Sequence, residues 1–191
     1  MDRVYEQLKG GFDPRATEDG RVTTDGAEIL ADEFADPLVG RIVAFLRQVG
    51  IPVEVTMLEH ETFLPGVAVA GEGLRVDPAR LAWPGDLLHE AGHVAVGDPE
   101  RRDAGVSDDP GEEMAALAWS YAAATHLGLD PSVPFHAGGY RGGGKALAEM
   151  FSQGGYVGVP MLAMWGLTVE PHRAKATGVQ PFPHMLAWRR G

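Results

Sequence analysis

The chain contains no cysteine, which excludes a disulfide framework and any thiolate metal site, so a bound metal has only histidines and carboxylates to hold it. Basic residues are scarce, with 16 Lys and Arg against 27 Asp and Glu, a formal net charge of −11. Such a balance repels a phosphate backbone unless the few cations gather on one face, and no run of them does, so nucleic acid is not an expected partner. Long apolar runs are also missing. The longest, residues 115–124 and 157–165, fall short of the roughly 20 residues that a bilayer-spanning helix needs. The opening Met1-Asp2-Arg3 leads into an acidic stretch with neither the basic nor the apolar region of a secretory signal. These absences predict a cytoplasmic protein with no membrane segment.

What remains is the balance of a globular chain: 191 residues, 45% apolar and 23% charged, enough for one core and too few for two comfortable ones. A single domain over 1–191 is expected. Short helices are predicted near residues 5–8 and over 25–34. Asp36-Pro37 gives an N-cap with proline behind it, and Leu38, Val39, Ile42, Val43, Leu46 and Val49 recur at helical spacing up to Gly50. Val53, Val55 and Met57 then alternate with Glu54 and Thr56 as in a strand with one buried face. Residues 67–70 and 74–76 flank Gly71-Glu72-Gly73, which reads as a hairpin whose glycines permit positive φ.

Pro84-Gly85-Asp86 opens the next helix, which stops at Gly97. Residues 98–110 read as a polar surface loop, since a dedicated calcium loop needs an Asp-x-Asp-x-Asp-Gly order that they lack. Asp109-Pro110 opens a second helix that runs to His126 and ends at Gly128. Beyond 130 the signals fade to a short helix over 145–151, an ambiguous apolar stretch over 160–167, and a proline-rich end expected to wrap the surface.

The chemistry lies in His89-Glu90-Ala91-Gly92-His93, an H-E-x-x-H sequence inside a predicted helix. Four residues is little more than one turn, so both imidazoles leave the same face about 5–6 Å apart at Cβ, close enough to share a metal. Glu90 lies roughly a third of a turn away, beside such a metal rather than on it, where a carboxylate can accept a proton from water that the metal acidifies.

A catalytic zinc takes a third protein ligand and keeps a fourth position open. The extension H-x-x-G-x-x-H fails, because position 96 is Val and position 99 is Pro. Glu112 and Glu113, at the start of the following helix, are the remaining source. Asp109 with Glu112 three residues on makes a capping box that would commit Glu112 to the helix terminus. Glu113 is therefore the preferred ligand and Glu112 the alternative. Ala116, Leu117, Ser120 and Ala124 share a face with Glu113 and are small enough to let the two helices meet closely.

The order helix, strand, hairpin, H-E-x-x-H helix and glutamate helix, over residues 37–127, resembles the short gluzincin metallopeptidases. The run from Pro65-Gly66-Val67 through Leu74-Arg75-Val76-Asp77 to the motif is similar to small intracellular members that include phage-repressor-cleaving proteases. The resemblance implies an α+β, zincin-like fold, with a small twisted sheet and hairpin on the metal helix. It implies Zn2+ on His89, His93 and Glu113, with Glu90 as general base and acid. It also implies a peptide or protein substrate added to the exposed hairpin strand. Two departures stand out. No Asp follows either glutamate by four residues, so another acceptor must orient His89, and residues 128–191 form an irregular and helical extension outside the resemblance.

Tyr140 and His136, in a glycine-rich loop beyond the glutamate helix, are candidate oxyanion donors, with Tyr121, His126 and Tyr156 behind them. Tyr140 is the one assigned to catalysis. Gly139-Tyr140-Arg141-Gly142-Gly143-Gly144-Lys145 matches the start of a phosphate-binding loop, but Ala146 replaces the Ser or Thr that would hold magnesium, so nucleotide binding is not expected. The competing functional expectation is a zincin-fold binding or regulatory protein that does not turn over peptides.

Overall fold

The computed structural model describes residues 34–191, a mixed α+β chain with one three-stranded sheet and six α-helices among the described residues. Of the two helices expected near the start, only Phe34 falls within the described part, where it is buried in non-helical chain. Helix α1, Pro37–Gln48, begins as its cap demands, with the Asp36 carboxylate accepting from the Leu38 N–H at 2.8 Å. Its periodic residues Val39, Ile42, Val43 and Leu46 are all buried.

The sheet runs β1 (Val53–Val55), β3 (Gly73–Val76), β2 (Val67–Ala70), with β1 parallel and β2 antiparallel to β3. β1 is shorter than its alternation suggests. It ends when its partner ends, the last bond running from the Thr56 N–H to the Val76 carbonyl, and Met57 is left 86% exposed. The hairpin pairs Ala70 with Gly73 across Gly71-Glu72. Only Gly71 uses a positive φ, whereas Gly73 is small for another reason: a Cβ there would lie 2.4 Å from the Pro52 carbonyl oxygen leading into β1.

Helix α2, Asp86–Val96, buries Leu87, Leu88, Ala91, Val94 and Ala95. The polar stretch after it holds a 3-10 turn, Pro99–Ala104. Helix α3, Pro110–His126, starts on Asp109, whose carboxylate accepts from the N–H groups of Gly111 and Glu112. The reciprocal half of the capping box does not form. The Asp109 N–H donates to Ser107 Oγ, and Glu112 instead pairs with Arg190 at 3.7 Å.

The remaining chain forms α4 (Gly144–Ser152), α5 (Val159–Met164) and the single turn α6 (Ala174–Thr177). Its end does not merely wrap the surface. Leu167, Phe182 and Met185 are buried, Thr168 bridges to Met185, and the Trp188 carbonyl accepts from Trp119 Nε1 at 2.9 Å. Pro171, Gly178, Pro181 and Pro183 interrupt any period over 167–188, and the contacts join distant residues rather than recurring within one element. No helix among the described residues is long and apolar enough to cross a membrane.

Candidate metal centre

Helices α2 and α3 pack against each other through small residues. A Cβ on Gly92 would lie 2.8 Å from the Ala116 carbonyl oxygen and 3.1 Å from its Cα, closer than side chains tolerate. The buried Ser120 Oγ lies 2.7 Å from the Ala116 carbonyl and 3.1 Å from that of Leu88, tying one helix to the other. This close approach carries the first turn of α3 to the motif face of α2.

There His89 Nε2 and His93 Nε2 stand 3.2 Å apart. The Glu113 carboxylate reaches both, 3.3 Å from His93 Nε2 and 3.8 Å from His89 Nε2. These three residues offer ligand atoms within 4.8 Å of one another and could hold a metal ion, the one such group among the described residues. The donors fit the demand. Bonds of about 2.0–2.2 Å in a tetrahedral arrangement place neighbouring ligand atoms about 3.4 Å apart, and two nitrogens facing each other at 3.2 Å satisfy each other with a single proton at most.

Burial, then the charges of His93 and His136, push the His89 pKa down to about 3, and burial takes His93 down to about 4. Both rings are neutral at pH 7, so neither has a proton to expel before ligation. Glu113, with 45% of its side chain exposed, faces the pair from the open side, and burial raises its pKa. Glu90 is half-buried and outside the group of three. Burial, with the Asp86 and Glu113 carboxylates adding to it, lifts its pKa to about 7.

Tyr140 sits over the site. Its ring meets His89 edge-on, centroids 5.6 Å apart at 88°, and its hydroxyl donates to the Pro134 carbonyl at 3.2 Å. Burial and the carboxylates of Asp86, Glu113 and Glu90 raise its pKa, keeping it a neutral donor. His136 has both nitrogens enclosed: Nε2 meets Asp86 Oδ1 at 2.8 Å and Nδ1 has no partner. The other three candidates belong to ring clusters, Tyr121 and Tyr156 on Phe151 and Phe182, His126 on Phe45 and Trp188. The glycines of the loop serve packing. A Cβ on Gly138 would press on the Trp83 indole at 2.9 Å, and one on Gly144 would meet the His136 and Phe135 carbonyl oxygens at 2.4 and 2.5 Å.

In the sequence Asp86 marks only the opening of a helix. Residues 86, 89, 90 and 93 share one helical face, and that spacing was the signal that could have found it. Comparison with known protein families, curated proteins and solved structures finds no match.

Proposed function

We propose that this chain is a zinc-dependent hydrolase of peptide or amide bonds, built on a zincin-like fold of the minimal gluzincin kind, with His89, His93 and Glu113 as zinc ligands. One observation carries the reading: two neutral imidazoles and a carboxylate converge at ligand spacing, while a second carboxyl group, Glu90, stands beside them with a pKa near neutrality. When bound, zinc supplies Lewis acidity that lowers the pKa of water toward 7 and polarises a carbonyl.

The protein's own groups do the rest. Glu90, half-ionised near pH 7, takes the proton of the attacking water on a carboxylate oxygen and returns it to the leaving nitrogen. Tyr140, released from the Pro134 carbonyl, donates its hydroxyl proton in a hydrogen bond to the developing oxyanion. A peptide is the favoured substrate because β2 is an edge strand whose Val69 lines a cavity of about 90 Å³ together with His93, Val94 and Glu112. An extended peptide paired with that edge would run past the ligands.

Metal analysis of the purified protein, followed by a peptide-library digest with and without chelator, tests the reading. His89→Ala should lose metal and cleavage together, and Glu90→Gln should keep metal and lose cleavage. Stoichiometric zinc with no cleavage would replace the hydrolase with a metal-bearing binding protein, and absence of zinc would end both.

A further inference from the structure

The Nε2 of His89 faces the other donors, yet its Nδ1 is enclosed by protein and has no hydrogen-bond partner. A histidine that ligates through Nε2 carries its proton on Nδ1, and that N–H is nearly always given to a carboxylate, carbonyl or water that fixes the ring and raises its basicity. The residues four beyond Glu112 and Glu113 are Ala116 and Leu117, so neither supplies an acceptor. Among the described residues, Asp86 Oδ2 is the one enclosed side-chain oxygen that lacks a hydrogen-bond partner.

Asp86 precedes His89 by three positions on α2, the spacing at which helix side chains are neighbours. Its carboxylate is not spent on the helix terminus, because the Leu88 and His89 N–H groups go to the Gly85 carbonyl and no side chain caps this helix. Its other oxygen is held from outside. His136 Nε2 meets Oδ1 at 2.8 Å, with side chains of both residues almost wholly buried, and the His136 ring stacks on Trp83 at 4.5 Å and 12°.

We propose that Asp86 is the positioning residue for His89: its Oδ2, enclosed and without a partner, accepts the Nδ1–H of His89 once a metal takes Nε2, and His136 fixes that carboxylate in place. The inference rests on the metal-site reading above. It supplies the orienting acid that the sequence lacks after the glutamate, from the metal helix itself. Burial raises the Asp86 pKa, and the His136 hydrogen bond and charge oppose that rise without reversing it.

Zinc affinity by chelator competition, with cobalt(II) absorption in parallel, tests this on the wild type, Asp86→Ala, Asp86→Asn and His136→Gln. Asp86→Ala should weaken zinc binding about ten- to a hundredfold and change the cobalt spectrum. Asp86→Asn, which keeps an oxygen acceptor, should recover part of that loss. A purely structural role would lower the melting temperature of the metal-free protein and leave both metal readouts alone. Should Asp86→Ala fail to fold, nitrogen-15 NMR of the zinc-loaded wild type reads the same bond: a far-downfield, slowly exchanging His89 Nδ1 proton supports the assignment, and one in fast exchange with solvent overturns it. Wild-type affinity in Asp86→Ala overturns the assignment and leaves the hydrolytic reading intact, whereas a wild type that takes up no zinc removes both.

Discussion

Helices α2 and α3 meet through absent side chains, and the chain beyond residue 128 holds together through large ones. In the helix pair, Gly92 and Ala116 bring two backbones into contact, so the distance between the His89–His93 pair and Glu113 is set by backbone geometry. The later chain is joined to the helix pair by a ladder of rings that runs from Phe182 through Tyr121 of α3 and Phe151 to Phe135, Tyr140 and finally His89 of α2. The first region brings together the three side chains that could hold a metal. The second places the loop that carries His136 and Tyr140 over them, so the extension supports the site rather than merely covering it. Damage to the two regions should therefore separate, the helix pair governing metal affinity and the ladder governing turnover and global stability.

The largest separation is expected at the motif itself. Glu90→Gln should cut turnover about 10²- to 10⁴-fold with zinc content unchanged, as read by steady-state cleavage beside metal analysis; parallel loss of zinc would place Glu90 among the ligands. Next comes the ladder. Phe151 is fully buried and touches Tyr121, Phe135, Tyr156 and Phe182, so Phe151→Ala should cost about 3–5 kcal/mol in denaturant unfolding, with turnover falling further than zinc affinity. Equal loss of both would merge the two regions into one.

Gly92→Ala probes the helix pair directly. The added methyl must push Ala116 away, at about 1–3 kcal/mol, and the widened gap should weaken zinc binding measurably while the ring ladder keeps its near-ultraviolet circular dichroism. Unchanged affinity would show that the donors are not placed by this contact.

Titration of the metal-free protein gives a subtler test. His89 and His93 stay neutral in the fold, with pKa values of about 3 and about 4 against an ordinary 6.5. The unfolded chain therefore takes up protons first as pH falls, and stability should drop from about pH 6.5 downward. Glu90 works the other way: its folded pKa of about 7 exceeds the ordinary 4.5, so its contribution is complete below 4.5 and is lost as pH rises through 7. Stability should peak near pH 6.5 and fall further on the acid side, where the two histidines outweigh Glu90 down to about pH 4.5 and act unopposed below it. Unfolding curves that gain stability steadily from pH 7 to pH 5 would contradict the buried neutral histidines. The smallest effect is reserved for Glu112→Gln, which removes a partly exposed pair with Arg190 and should cost less than about 1 kcal/mol with zinc affinity unchanged.

The helix pair was legible because its signals are local. Asp36-Pro37 and Asp109-Pro110 mark helix starts by their own chemistry, and the four-residue spacing of His89 and His93 puts two nitrogens on one face whatever lies elsewhere. Glu113 was preferred over Glu112 on a capping argument, and Glu113 does stand at the histidines, yet Glu112 is occupied by Arg190 at the far end of the chain, a partner no window of sequence contains. Asp86 was hidden in the same way. Its role as a first-turn acid is visible locally, but its contact with His136 joins residues from separate elements. The ring ladder has no period at all, so residues 128–191 offered turns and prolines to the eye and kept their packing to themselves.

The account turns on one shared point among His89, His93 and Glu113, and anomalous diffraction at the zinc absorption edge, on crystals of the purified protein, locates it most directly. A single peak about 2.0–2.2 Å from both Nε2 atoms and a Glu113 oxygen is the predicted result; a zinc peak ligated elsewhere, or none between these three side chains, would contradict it.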